Sequence, residues 1–147
     1  MSPYDAEPAH QLHVLVSRLD RNADQRLRES TDLTYQKFLA LLTVRRLGET
    51  GPVTQRALAD AVGLTEAGAS RLVGSLRDAG WTDVRQEPGT GNRRSLVLTG
   101  PGSDQVDLAL QLLEGSFARL LKAADVEPDE LAGPVGRLLA AMDGGPR

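Results

Sequence analysis

No cysteine occurs among the 147 residues, which removes disulfides, thiolate metal ligands, a cysteine nucleophile and thiol-based redox sensing together. No unbroken apolar run exceeds the five residues Phe38 to Leu42, far short of the ~18 that a membrane span needs. The first thirty residues hold no apolar stretch resembling a signal peptide, so the expectation is a cytoplasmic protein. Histidine is almost as scarce. His10 and His13 lie three apart, a spacing that lets two imidazoles share a metal on a helix. With no cysteine and no third histidine, they read as surface residues and no metal is expected. No G-x-S-x-G elbow is present, and Gly89-Thr90-Gly91 continues to Arg94 where a dinucleotide fingerprint wants a third glycine. These gaps leave no catalytic constellation, and neither an enzyme nor a cofactor is expected.

Positive charge is also in short supply: 17 basic residues stand against 20 acidic ones, a net of −3. Nucleic-acid binders are usually net basic. Exposed charges, however, act only over a Debye length of roughly 8 to 10 Å, so the local balance matters more than the total. Thr54 to Thr99 holds six arginines against five acids, and the acid excess lies outside it. Only Lys37 and Lys122 are lysine, as GC-rich codon usage would give with no selection for guanidinium chemistry.

What is present suits one folded domain, with 40% apolar and 25% charged residues. From Leu12, apolar residues at 12, 15, 16, 19, 23 and 27 make one stripe of an amphipathic helix. Thr34 is placed to cap a second helix running to Leu47, apolar around most of its circumference and therefore central. Gly51-Pro52 breaks the chain. Thr54 then caps a short helix ended by Gly63, and Thr65 caps another that stops at Gly80, with Leu64 and Ala69 as its hydrophobic staple. Two extended stretches, Thr82 to Gln86 and Ser95 to Thr99, flank the turn-rich Pro88 to Asn92 and predict a hairpin. Gly100-Pro101-Gly102 punctuates, and a long helix is expected after it. Glu127-Pro128 separates that helix from a last one carrying Leu131, Val135, Leu138, Leu139 and Met142. A chain this size buries only ~68–70% of its unfolded surface, so the apolar stripes at its two ends predict a symmetric homodimer.

Thr54 to Trp81 has the layout of a helix-turn-helix, whose second helix lies in the DNA major groove. On a wheel of 100° per residue, Ala69, Leu72, Val73 and Leu76 face the core. The opposite face is then Ala67, Ser70, Arg71, Gly74 and Ser75, small residues where a soluble helix ordinarily carries Lys, Glu and Gln. Gly68 and Gly74 each cost roughly 1 kcal/mol of helix stability relative to Ala, which favours a face shaped for close approach. Abundant Ala, Gly and Ser would give a similar face by chance. Thr65, Gly68 and Arg77 border it. In the hairpin, Asn92, Arg93 and Arg94 follow a Gly-rich tip with no acid between Gly89 and Ser95, and such a tip can enter the minor groove.

The order of elements and the residues themselves resemble the MarR family of winged-helix transcription regulators. The matching text is Leu33-Thr34-Tyr35-Gln36, GPVTQRAL at Gly51 to Leu58, LTEAGASRLVGSL at Leu64 to Leu76, Ala79-Gly80-Trp81, and NRRSLVLT at Asn92 to Thr99. The resemblance implies a mainly α fold with a small β-hairpin wing. It places a winged helix-turn-helix lobe at 33–100 and a helical dimerisation lobe at 8–30 and 103–144. It further implies an obligate dimer on a palindromic operator near its own or an adjacent promoter, repressing until a small ligand respaces the recognition helices. Phenolic or aromatic effectors would lie between the lobes, at positions matching His13, Ser17, Tyr35 and Phe38. Three features depart from the family pattern. Asn92 stands where an Asp commonly precedes the paired arginines, Trp81 replaces a small aliphatic residue, and Gly100-Pro101-Gly102 delays the long helix. A winged helix used for protein contacts, or one with weak DNA binding, is the alternative favoured by the charge and by Asn92.

Overall fold

The computed structural model describes residues 7–86 and 94–144. They form six helices and one antiparallel hairpin, in the order expected. Helix α1 spans Pro8–Ser30 and α2 spans Tyr35–Gly48. Two side chains satisfy the first amides of α2: Thr34 Oγ1 accepts from Lys37 N at 3.1 Å, and Asp24 Oδ1, eleven residues upstream in α1, accepts from Tyr35 N at 2.9 Å. The first helix is thereby tied to the start of the second. Phe38, Ala40, Leu41 and Val44 bury the inner face of α2, in keeping with a central helix.

Helix α3, Gln55–Val62, begins at Thr54, whose hydroxyl accepts from Ala57 N at 3.0 Å. It ends at Gly63, whose φ of 71° is left-handed, and Leu64 N then reaches back to Ala59 O at 2.9 Å. That is a Schellman stop, which glycine makes without a Cβ penalty. Helix α4, Glu66–Asp78, starts at Thr65 in the same manner and ends in the same manner at Gly80, with Trp81 N donating to Leu76 O at 3.0 Å. Ala69, Leu72, Val73 and Leu76 are its buried residues, the stripe read from the wheel.

Strands β1, Thr82–Gln86, and β2, Arg94–Leu98, pair antiparallel from Thr82 opposite Leu98 to Gln86 opposite Arg94. A second tie fixes the hairpin to the segment before α3. Leu96 N donates to Val53 O at 2.8 Å, and the buried Ser95 Oγ accepts from Val53 N at 3.1 Å. Helix α5, Gly100–Ala123, starts earlier than the sequence suggested. Gly100-Pro101-Gly102 is its first turn rather than a spacer, because proline lacks an amide that the first turn leaves unpaired in any case. Thr99 Oγ1 completes the start by accepting from Gly102 N at 3.0 Å. The break before α6, Pro128–Asp143, falls at Glu127-Pro128 as expected, with Pro128 opening the helix.

Contacts divide the chain into one compact unit over residues 1–110 and another over 111–147. The first has a continuous core that includes Leu27, Leu33, Leu41, Val53, Leu58, Leu76 and Val106, all nearly inaccessible to solvent. In the second, α6 buries no residue, and its stripe of Val135, Leu138, Leu139 and Met142 is exposed, Met142 to 81%. Leu12, Leu15 and Val16 of α1 are likewise exposed in the first unit. None of the described helices is long and apolar enough to cross a membrane.

Candidate nucleic-acid interface

Burying four apolar residues on one side of α4 leaves its other side facing solvent. Ala67, Ser70, Arg71 and Arg77 are exposed, as is the cap residue Thr65, while Gly68, Gly74 and Ser75 are half-buried. The two glycines differ in their surroundings. A Cβ on Gly68 would lie 3.2 Å from Thr65 Oγ1, so the cap itself accounts for the absence of a side chain there. A Cβ on Gly74 would meet nothing within 4 Å. Packing inside this chain therefore gives no reason for glycine at 74, although glycine in a helix interior costs about 0.5–1 kcal/mol relative to alanine.

Among the described residues no ion pair holds Arg71, Arg77 or Arg94, whereas Arg28 pairs with Asp24 at 2.7 Å and Arg45 with Asp107 at 2.9 Å. The α4 guanidiniums are thus not engaged by a carboxylate of the described chain. Arg94 opens β2, is exposed and pairs in register with Gln86. Asn92 and Arg93 lie outside the described residues. Ser95, which the sequence offered only as the first residue of a strand, proves to be what holds β2 to Val53. Its hydroxyl points inward by strand alternation directly after Arg94, a signal too short to read without the fold.

The four positions considered for an effector do not come together in one described cavity. A cavity of about 590 Å³ between α1 and α2 has Tyr35 in its wall, with Asp20, Arg21, Asp24, Arg28 and Glu29 around it. His13 and Ser17 are exposed elsewhere on α1, and Phe38 is 4% exposed in the core. Burial, and then the neighbouring Asp20 carboxylate, push the Tyr35 phenol above its ordinary value. The amide of Tyr35, followed by Arg28, holds the Asp24 carboxyl below its ordinary value. Both effects belong to the α1–α2 junction. Among the described residues no three His, Asp or Glu side chains gather into a metal-ion cage.

Comparison with known proteins agrees with this geometry. A model of the MarR family matches residues 31–95, the stretch from the end of α1 to the start of β2. No curated protein matches the chain in sequence. Solved structures do match in fold. The apo form of MarR from E. coli superposes with a TM-score of 0.72 at 20% identity, over 90% of this chain and 94% of that one. The M. tuberculosis transcriptional regulator MosR gives 0.67 at 22% identity, over 97% and 99%. A mutant E. coli MarR complexed with operator DNA gives 0.70 at 20% identity, over 97% and 99%. The architecture is therefore a winged helix with flanking helices, the fold these MarR-family structures share.

Proposed function

We propose that this chain, which matches a MarR-family model over residues 31–95 and shares the winged-helix fold, is a homodimeric, sequence-specific DNA-binding regulator of that family. It represses its own or adjacent genes from a palindromic operator in the cytoplasm, and a small ligand relieves that repression. The observation that carries this reading is the outward surface of α4, small, open at Gly74 and bearing Arg71 with no carboxylate partner among the described residues. Small residues let a helix seat deeply in the major groove, and an arginine there can donate two hydrogen bonds to guanine O6 and N7. Thr65, Ala67, Gly68, Ser70, Gly74, Ser75 and Arg77 flank that contact, their hydroxyls and backbone setting register on phosphates. Asn92, Arg93 and Arg94 form the wing contact in the minor groove.

Residues 33–100 serve as the DNA-binding lobe, and 8–30 with 103–144 as the dimerisation lobe. The apolar residues left uncovered on α1 and α6 support the second assignment, since exposed stripes of this kind mark interaction surfaces. Of the four positions that match the family's effector cleft, His13, Ser17, Tyr35 and Phe38, Tyr35 borders a cavity of this chain, and an aromatic or phenolic effector is assigned there.

Selection of bound fragments from a genomic DNA library tests the proposal. A palindrome should emerge, and its affinity should fall with salt at a log–log slope of about −0.9 per phosphate neutralised. Arg71→Ala should then weaken the palindrome by ~1–3 kcal/mol more than unrelated DNA. The net charge of −3 favours a second reading, a protein-binding winged helix. That reading predicts no salt-dependent DNA response at all.

A further inference from the structure

The end of α4 and the start of α5 meet in a single hydrogen-bonded knuckle. Gly80 O accepts from the Thr99 hydroxyl at 2.6 Å, and Trp81 O accepts from Thr99 N at 3.0 Å. Thr99 Oγ1 in turn accepts from Gly102 N at 3.0 Å. One threonine thus caps α5 and clamps the turn that terminates α4. Gly102 is buried against that turn, where a Cβ would lie 1.9 Å from Trp81 O and 2.8 Å from Trp81 C. The obstruction is backbone, so it cannot rotate away as a side chain would. From the next residue of α5 onward, Arg45 of α2 donates to Ser103 O, to Ser103 Oγ and, one turn later, to Asp107 Oδ1, each at 2.9 Å.

We infer that Gly102 and Thr99 are positioning residues: they set the direction in which α5 leaves α4, and through it the separation at which paired α4 surfaces meet DNA. The inference rests on the dimeric, operator-binding reading above. A methyl group at 102 needs about 1.4 Å more room to reach an ordinary C···O contact of ~3.3 Å. Asp107, held by Arg45, is about 7.5 Å along the axis at 1.5 Å per residue, so the displacement tilts the start of α5 by roughly 11°.

The test selects operators from a library in which the palindrome's half-sites are separated by spacers of varied length. Wild type should show one sharp optimum. Gly102→Ala should shift that optimum by at least one base pair, the smallest step the library reads, and Thr99→Val, which removes the hydroxyl without a clash, should keep the optimum and widen the tolerated range. A folded Gly102→Ala protein with the wild-type optimum and width overturns the inference. So does a loss that is equal at every spacing, since a merely structural role would produce that. If Gly102→Ala fails to fold by circular dichroism, Thr99→Val decides: a widened profile supports the inference and an unchanged one overturns it. A wild type that selects no palindrome refutes the operator reading itself, and the positioning role falls with it.

Discussion

Gly74 offers a perturbation whose effects on stability and on binding should have opposite signs. Its position is interior to α4, its backbone is ordinary helix, and a Cβ there would touch nothing within 4 Å. Gly74→Ala should therefore stabilise the protein by about 0.5–1 kcal/mol, through helix propensity alone. For a chain of this length that is a rise in Tm of roughly 1–4 °C. If DNA approaches the same surface, the added methyl overpacks the groove contact at ~1 kcal/mol per copy. Two copies in a dimer give ~2 kcal/mol, or about a 30-fold loss of operator affinity. Gly74→Gln, longer and still helix-favouring, should lose more. Thermal melts followed by circular dichroism and operator titrations at fixed salt read the two effects separately. Variants that are more stable and bind as tightly as wild type would refute the placement of this face in a groove. A fall in Tm would show that something within the protein already occupies the space.

Other outcomes follow from named contacts. Ser95→Ala leaves the buried Val53 amide without its acceptor, and should cost ~1–3 kcal/mol in urea unfolding with the slope m unchanged. Asp24 titrates below its ordinary value of 3.8 when folded, so its stabilising effect is complete above that pH and drains away as the pH falls through the lower folded value. Asp24→Asn should flatten that acid limb in melts taken between about pH 5 and 2.5, leaving the pH 7 to 8 region unchanged in slope. Leu138→Glu with Leu139→Glu places charge on the exposed α6 stripe, and should convert a dimer to monomer in sedimentation while leaving helix content intact.

Features encoded by neighbours in sequence were legible without coordinates. Thr34, Thr54 and Thr65 each cap the helix that starts one residue later, and Gly63 and Gly80 each stop one, because capping is settled within a turn. The buried stripe of α4 was readable for the same reason: helical periodicity assigns faces without knowledge of the partner. Contacts that cross the chain were not. Asp24 reads as one polar residue on the outer face of α1, and only the fold brings it to the amide of Tyr35. Ser95 and Val53 are 42 residues apart, so no local pattern announces their bond. Gly100-Pro101-Gly102 reads as a break, since each residue disfavours helix interiors. In the first turn those penalties largely vanish, and close approach to Trp81 makes glycine necessary at 102. The stripe of α1 was read correctly as apolar, yet Leu12, Leu15 and Val16 remain exposed in the single chain.

The absence of cysteine permits a direct examination of where α4 sits on DNA. Ser70→Cys supplies a unique thiol on the exposed face, to which an iron chelate can be attached and used to cut bound operator. Two clusters of strand scission, centred about 10 to 10.5 base pairs apart or a multiple of that, are predicted from paired recognition helices in successive major grooves. Bound operator left uncut from position 70, but cut when the same chelate is carried at Met142, would contradict it.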